Sequence, residues 1–275
     1  MQNKKFKSGF VSIIGRPNVG KSTLLNQILK QKVVIVTPKA QTTRNRIQGI
    51  YTTDQEQIIF IDTPGIHKAN NELGNIMNDV AISSMSGIDV ILYLIDTTVP
   101  MGKGDQRIID TLKESKVPVI LVANKVDLLA DERQVKENID TYQAYGHFAN
   151  GITISATEGF HIDLLLQMIV DKLEYGPMYY PENQILDQPE RFVVCELIRE
   201  QVLLNTHEEV PHSVAITIDS YKEKENMVEI HASIVVERAS QKKIIIGSKG
   251  AMIKTIGTQA RKEIKTFLGV PVYLE

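Results

Sequence analysis

The 275-residue sequence contains no tryptophan and only one cysteine, Cys195. A single cysteine cannot form an intrachain disulfide, which excludes a disulfide-stapled secreted domain, and we expect Cys195 to be a buried structural thiol. The longest apolar runs, such as residues 90–95, are far shorter than the ~18 residues of a membrane span. No apolar signal region follows the polar residues 1–5. We therefore expect a reduced, cytoplasmic protein, and these absences leave peripheral membrane contact open.

The sequence also has little net charge, −2 in total, so the whole-chain balance gives no indication of a nucleic-acid partner. A local basic patch could still supply one. The hydrophobic fraction of 43% and the charged fraction of 23% are those of a globular protein with enough apolar material for a core. The length suits one large domain or two ordinary ones, at ~100–200 residues each.

Short apolar runs alternate with helix-like segments over the first 173 residues. The runs of strand length are 10–14, 58–61, 90–95, 119–123 and 152–155, and the helix-like segments are 21–29, 77–86, 106–115 and 161–173. Buried strands that alternate with helices predict an α/β fold, with a mostly parallel sheet and helices on both faces.

This alternation stops after residue 173. Residues 175–183 are rich in Pro, Tyr and Gly and indicate a linker. Beyond them the predicted elements are a helix at 190–209, strands at 213–220 and 227–237 joined by a polar turn at 221–226, a helix at 251–268 and a strand at 271–274. This order predicts a small α+β module. The predicted organisation is a domain at 1–178, a linker at 179–189 and a second domain at 190–275.

A phosphate-binding loop is predicted between the first strand and the first helix, where GRPNVGKS fits G-x-x-x-x-G-K-[ST]. Its glycines let backbone N–H groups surround phosphates, and the helix N-terminus adds positive potential. Lys21 would reach the β- and γ-phosphates. The alternative is a Gly-rich strand–helix turn without a ligand. The candidate nucleotide-binding residues here are Gly15, Arg16, Pro17, Asn18, Val19, Gly20, Lys21, Ser22 and Thr23.

A second predicted strand ends in Asp62-Thr63-Pro64-Gly65, at a suitable interval for a γ-phosphate sensor. Asp62 would hold Mg²⁺, usually through water, and the Gly65 N–H would face the γ-phosphate. Thr42 and Thr43 are candidates for the mobile switch that orders with GTP. Thr43 is favoured as the metal ligand by analogy with relatives that carry one Thr before the Arg. A polar surface loop and an ordinary turn are the alternatives. The candidate Mg²⁺ ligands are Ser22, Thr43 and Asp62.

Asn124-Lys125-Val126-Asp127 follows the strand at 119–123 and predicts recognition of guanine. The Asp127 carboxylate can accept from N1–H and from the exocyclic amine of guanine, a donor pair that adenine lacks. Asn124 would brace the loops, the Lys125 stem would cover the base, and the Ala156 N–H in Ser155-Ala156-Thr157 would face guanine O6. The ordered set of four motifs predicts a GTP- and GDP-binding domain and disfavours a small-molecule kinase.

The second domain carries G-x-x-G at 247–250, between an apolar run and a helix, within a stretch of eight positive charges and one negative charge. A tight basic loop of this kind suits a KH-type clamp on single-stranded RNA. A solvated basic helix is one alternative, and a nucleotide-responsive scaffold whose second domain binds protein is another. The candidate RNA-binding residues are Arg238, Lys242, Lys243, Ile246, Gly247, Ser248, Lys249, Gly250 and Lys254.

In combination the motifs resemble those of the Era family of bacterial GTPases. They are GRPNVGKS at 15–22, PKAQTTRNR at 38–46, DTPGIHK at 62–68, NKVD at 124–127, ISATEG at 154–159 and IIGSKGAMIK at 245–254. The resemblance implies a Ras-like GTPase domain joined to a type II KH domain. It further implies binding to the 3′ region of 16S ribosomal RNA and a role in 30S subunit maturation, often with peripheral membrane association.

Two departures qualify the resemblance. Ile66 stands where many switch GTPases have the glutamine that orients the attacking water, so we expect the water to be placed by other groups, the Gly65 turn and the Thr43 switch, with Lys21 and Asn18 also assisting catalysis. Hydrolysis is expected to be slow without a partner. Some relatives with Asn in the loop bind a monovalent cation, which makes K⁺ a candidate cofactor; His67 is a weaker alternative. Family members also continue past residue 275, which implies a KH domain short at its C-terminus. We expect a monomer that does not bind DNA.

Overall fold

The computed structural model describes residues 6–39, 47–62, 87–129, 131–206 and 213–275. The chain divides into two compact units. The first comprises Met1–Lys30 and Thr43–Asp187, and the second comprises Gln31–Thr42 and Gln188–Glu275. The second unit is therefore built from two separate stretches of the sequence.

The first unit contains a six-stranded sheet of order β2-β3-β1-β4-β5-β6. Its strands are β1 (Lys7–Ile14), β2 (Ile47–Thr52), β3 (Glu56–Asp62), β4 (Val90–Asp96), β5 (Val119–Asn124) and β6 (Asn150–Thr153). All neighbouring strands are parallel except β2, which is antiparallel to β3. The central strands are almost wholly buried, as expected for a parallel sheet covered on both faces.

The helices of the first unit include α1 (Lys21–Leu29), α2 (Lys103–Lys113), α3 (Glu132–Tyr145) and α4 (Ile162–Val170). The predicted segments at 21–29, 106–115 and 161–173 correspond to α1, α2 and α4. Helix α3 and strand β2 were not predicted. The helix predicted at 77–86 lies outside the described residues.

The residues after α4 stay with the first unit as far as Asp187. The buried side chain of Gln57 accepts hydrogen bonds from the Tyr179 and Tyr180 N–H groups and donates to the Tyr180 carbonyl at 2.9 Å. Further on, the Ile50 N–H donates to the Ile185 carbonyl at 2.9 Å. These backbone contacts hold most of the predicted linker against the sheet of the first unit.

In the second unit, three helices accompany a three-stranded sheet of order β7-β8-β9. The elements are α5 (Glu190–Asn205), β7 (Val214–Lys224), β8 (Met227–Val236), α6 (Ala239–Ile246), α7 (Ala251–Leu268) and β9 (Val272–Leu274). Strands β7 and β8 are antiparallel, whereas β8 and β9 are parallel. Val202, Val214, Ile245 and Ile256 form its buried core cluster.

One prediction for this unit needs correction, and one helix, α6, was not predicted. The turn predicted at 221–226 is much shorter, because β7 continues to Lys224 and β8 starts at Met227. At this end the charged side chain of Lys222 lies opposite Glu229, and the following residues of β7 lie opposite the apolar Val228 and Met227; these cross-strand pairs stabilise the extended ladder. The apolar run at 244–246 closes α6. With these changes the α/β domain and the following α+β module confirm the predicted fold class. Among the described helices, none combines the length and apolar composition needed to cross a bilayer.

Candidate functional site

The phosphate-binding loop connects β1 to α1, and its backbone needs glycine at both ends. A Cβ on Gly15 would lie 2.4 Å from the Leu94 carbonyl oxygen, so no larger residue fits. Gly20 has φ 101° and Asn18 has φ 65°, and both values lie in the left-handed region. The loop therefore reaches the N-terminus of α1 in the conformation that directs backbone N–H groups toward an anion.

Lys21, the first residue of α1, is buried within this loop. Its ammonium donates to the Gly15 carbonyl at 3.2 Å and to the Arg16 carbonyl at 3.1 Å. Burial lowers the pKa of Lys21 to about 8, while the nearby Asp62 carboxylate acts in the opposite direction. A phosphate would add negative charge beside the buried ammonium, which here donates to two neutral carbonyls.

The two described candidates for the metal site are in direct contact. Ser22 Oγ donates to Asp62 Oδ2 at 3.0 Å, and Asp62 is fully buried at the end of β3. A hydroxyl and a carboxylate beside a phosphate-binding loop are the hard oxygen ligands that Mg²⁺ prefers, together with phosphate oxygens and water. These residues fit the metal. The third candidate, Thr43, lies outside the described residues, as do Thr63, Pro64 and Gly65.

Asn124 connects the phosphate-binding loop to the predicted base-binding loop. Its Nδ2 donates to the Val19 carbonyl at 2.9 Å, and its Oδ1 accepts from the Ala156 N–H at 2.9 Å. The Ala156 N–H, predicted to face guanine O6, is thus engaged with Asn124. A Cβ on Gly20 would lie 2.3 Å from Asn124 Nδ2, so this position requires glycine for its contact with Asn124 as well as for its positive φ.

The remaining base-binding candidates lie around this bridge. Lys125 has φ 69°, and its ammonium lies 2.5 Å from Asp96 Oδ2. Asp127 is exposed in the 3-10 turn Val126–Leu128, so its carboxylate is accessible to a ligand. Ser155 is buried and its hydroxyl accepts from the Glu158 N–H at 3.1 Å, whereas Thr157 is exposed.

Sequence reasoning missed two carboxylates that brace this site. Asp96 ends β4 and binds Lys125, as described above. Asp105 is 2% exposed and accepts from the Gly102 N–H at 2.9 Å, the Tyr93 hydroxyl at 3.2 Å and the Arg16 guanidinium at 3.0 Å. The position of Asp96 directly after an apolar strand could have identified it, but no motif marks Asp105.

In the second unit, the G-x-x-G loop is a tight turn between α6 and α7. Gly247, Lys249 and Gly250 have φ of 72°, 50° and 78°, and the Gly250 N–H donates to the Gly247 carbonyl at 3.3 Å. A Cβ on Gly247 would lie 2.7 Å from Met252 Cβ. The turn therefore depends on glycine, and it leaves the Ser248 and Lys249 side chains exposed.

Positive charge surrounds this loop on the surface of the second unit. The exposed basic side chains within the loop and next to it in the sequence are those of Arg238, Lys242, Lys243, Lys249 and Lys254. Ile246 is 38% exposed at the end of α6.

A cavity of about 530 Å³ lies beside α7. Its lining includes Lys254 and also Ile234, Ile253, Gly257 and Arg261, which were not among the predicted RNA-binding residues. The lining combines apolar side chains with these two cations and with Glu275, and apolar surface beside cations suits bases and their phosphates.

Comparison with known proteins gives two family matches. Residues 10–125 match the model described as 50S ribosome-binding GTPase, and residues 209–275 match the model of the KH domain.

Two solved structures extend the similarity over almost the whole chain. One is Era in complex with MgGDPNP and nucleotides 1506–1542 of 16S ribosomal RNA; the other is a variant of Era from Aquifex aeolicus bound to GDP·AlF4⁻. Each is 41% identical, with a TM-score of 0.93, over 98% of this chain and 92% of the other. This identity and coverage confirm the predicted family: the chain belongs to the Era family of GTPases, with a C-terminal KH domain.

Proposed function

We propose that this protein binds GTP and GDP with Mg²⁺, hydrolyses GTP slowly, and binds single-stranded RNA of the small ribosomal subunit through its KH domain. The observation that carries the nucleotide part is the position of Asn124. Because its side chain binds Val19 and the Ala156 loop at once, it sets the phosphate-binding and base-binding loops beside each other. One nucleotide can then be held at both ends.

At the phosphate end, the ammonium of Lys21 exchanges its contacts with the Gly15 and Arg16 carbonyls for phosphate oxygens. Ser22 and Asp62 would hold Mg²⁺, with Thr43 as the proposed third ligand. When bound, the metal neutralises the charge that develops on the phosphates. The solved relative that holds MgGDPNP supports Mg²⁺ as the metal.

At the base end, Asp127 accepts from N1–H and the exocyclic amine of guanine, and the Lys125 stem covers the base. The Asp96 carboxylate fixes the Lys125 ammonium and thereby orients the stem. An adenine base would leave the Asp127 carboxylate without donors, so the site selects guanine.

Hydrolysis has to position water without a glutamine, because Ile66 stands in that place. We assign this role to backbone groups of the Gly65 turn and to Thr43. Asn18, exposed in the phosphate-binding loop, is the proposed site of K⁺, whose charge would assist that of Lys21 in the transition state.

In the KH domain, the G-x-x-G turn lets backbone N–H groups approach the RNA phosphates, and the basic side chains around it supply attraction. The relative bound to nucleotides 1506–1542 of 16S ribosomal RNA supports the 3′ region of that RNA as the target. The proposal includes a role in 30S subunit maturation, a cytoplasmic location with peripheral membrane contact, and a monomeric protein that does not bind DNA.

Two variants test the two halves of the proposal separately. In Asp127→Asn, the amide can no longer accept both guanine donors, so GTP affinity should fall at least tenfold while xanthosine triphosphate, which offers an acceptor instead, should gain affinity. Equal wild-type affinity for ATP and GTP would favour a small-molecule kinase instead.

The RNA half is tested by filter binding of single-stranded 16S ribosomal RNA. Gly247→Asp/Gly250→Asp places two carboxylates and two strained residues where phosphates bind, so RNA affinity should fall by more than tenfold with unchanged GDP binding. Equal RNA binding by wild type and variant would favour the scaffold that binds protein.

A further inference from the structure

Nine residues that follow α1 in sequence are part of the second unit. Residues 31–39, here called the strap, belong to the unit that otherwise spans residues 188–275. Val33, Val34 and Ile35 in the strap are at most 3% exposed. The strap is thus a packed element, although its sequence lies between two nucleotide-binding motifs.

Glu200 of α5 is the main polar anchor of the strap. The residue is 1% exposed, and its carboxylate accepts from Lys32 Nζ at 2.6 Å and from the Val36 N–H at 2.9 Å. A buried carboxylate without such donors would be strongly unfavourable, so the strap and Glu200 stabilise each other. Loss of the Glu200 carboxylate removes the acceptor of Lys32 and of the Val36 N–H, and loss of these donors leaves the buried carboxylate uncompensated.

Lys32 extends this anchor to the helix that follows the RNA-binding loop. Its ammonium also lies 2.9 Å from Glu263 Oε2 on α7, the helix that begins directly after Gly250 of the G-x-x-G turn. Partial burial alone would lower the pKa of Lys32, but its hydrogen bonds to Glu200 and Glu263 and their negative charges raise it. The ammonium therefore remains charged at neutral pH and bridges α5 and α7.

A second anchor lies at the far end of the strap. The Lys39 ammonium donates to the Leu203 and Thr206 carbonyls at the C-terminal end of α5. The last carbonyls of a helix lack partners within it and carry partial negative charge, so a lysine there is favourable. The strap is therefore attached to the second unit at both of its ends.

The sequence on either side of the strap belongs to the nucleotide site. Helix α1, which starts with Lys21 and Ser22, ends two residues before the strap. Thr43, the proposed Mg²⁺ ligand, is four residues beyond Lys39, a distance of at most about 14 Å for an extended chain. Groups that hold the nucleotide are thus tethered by short covalent connections to an element anchored on α5 and α7.

We propose that the strap anchored by Glu200 carries the free-energy coupling between nucleotide binding and RNA binding, while Glu200 itself takes no part in holding either ligand. The inference rests on the proposed function. A ligand that shifts α7 acts on the strap through Glu263 and Lys32, and the strap acts on the nucleotide site through the chain. Because linkage is reciprocal, RNA and nucleotide change each other's affinity by the same factor.

The test compares coupling factors in the full chain with Mg²⁺. The dissociation constant of GDPNP is measured with and without saturating single-stranded RNA copied from the 3′ region of 16S ribosomal RNA. We expect the wild-type ratio to depart from 1 by about fivefold or more. Glu200→Gln retains an acceptor for Val36 but loses the charge that holds Lys32, so its ratio should approach 1 while each affinity alone changes less than about threefold.

A matched control is available on the same helix. Glu196→Gln removes the same charge from α5, but the partner of Glu196 is Arg199 of the same helix and not the strap. This variant should keep the wild-type ratio. Should Glu200→Gln fail to fold, Lys32→Gln removes the same contact from a half-exposed side chain and should give the same loss of coupling.

Several outcomes would overturn the inference. A wild-type ratio of 1 with normal binding of both ligands would overturn it and leave the proposed function intact. An unchanged ratio in Glu200→Gln and Lys32→Gln would do the same, as would an equal loss in Glu196→Gln. Failure of the wild type to bind GDPNP or the RNA would overturn the proposed function together with this inference.

Discussion

The Asp105 carboxylate binds the Arg16 guanidinium at 3.0 Å and thereby ties the start of α2 to the phosphate-binding loop. The carbonyl of the same Arg16 accepts from the Lys21 ammonium at 3.1 Å. Through one intervening residue, a buried carboxylate outside every sequence motif helps to hold Lys21, the lysine proposed to contact the phosphates.

Asp105→Asn should therefore accelerate GDP release. The amide keeps the shape of the side chain but weakens the charge-assisted bond to Arg16, which is 41% exposed and partly screened. We expect a loss of about 1 kcal/mol, or roughly a fivefold faster release, in stopped-flow experiments with a fluorescent GDP. Asp110→Asn, an exposed change on the same helix, is the control and should leave the rate unchanged. Equal rates in both variants would contradict the assignment.

A potassium requirement would depend on Asn18. In K⁺ buffer, Asn18→Gly should lower GTP turnover about tenfold and His67→Ala much less, because only the first removes the proposed cation ligand. Glycine is chosen because Asn18 has φ 65°, where alanine would add backbone strain. The reverse order of the two variants, or identical wild-type turnover in K⁺ and Na⁺, would contradict this role.

The stability of the first unit should depend on Gln57. Gln57→Leu leaves the Tyr179 and Tyr180 backbone groups without their side-chain partner at a buried position. We expect a loss of about 2 kcal/mol in the free energy of unfolding, measured with urea. Gln55→Leu, an exposed neighbour, should have little effect. A similar loss in both variants would show that the hydrogen bonds between Gln57 and the Tyr179 and Tyr180 backbone contribute little to stability.

The reactivity of the Cys195 thiol should depend on pH, because its pKa is shifted in the folded protein. Burial and the neighbouring Glu196 raise the pKa of the thiol above its ordinary value of 9.0, against a hydrogen bond from the Ile218 backbone that lowers it. Because the folded pKa is raised, this thiol favours the folded state below pH 9 and loses that contribution as the pH rises through the folded value. Iodoacetamide at pH 8 should modify the folded protein much more slowly than the urea-unfolded protein. Equal rates would contradict the shift.

Much of the first unit could be predicted, because its parallel strands are short, apolar and covered on both faces. Residues 90–95 are an example: they are aliphatic except for Tyr93, and the run forms β4 together with Asp96. Strand β2 was missed because its Gln48 and Gly49 interrupt the alternation. Helix α3 was missed because its sequence is mostly polar, so apolar spacing gives little signal.

The candidate site shows the same division. The phosphate-binding loop and the NKVD motif could be predicted, because each combines rare residue types at a fixed spacing. Asp105 could not, because its role comes from the fold, which brings it next to a residue 89 positions earlier in the chain. The membership of residues 31–39 in the second unit likewise depends on tertiary contacts with Glu200 that leave no local pattern.

The discontinuity of the second unit also has a consequence for how the protein is made. During synthesis the strap emerges early, but Glu200 follows about 160 residues later, a delay of roughly 10–30 s at common elongation rates. Over that interval the second unit has not formed, so the apolar side chains of Val33, Val34 and Ile35 are exposed and can bind chaperones or other nascent chains. A fragment that begins at residue 188 would leave Glu200 without Lys32 and Val36 permanently, so the RNA-binding module cannot be isolated intact by a single cut.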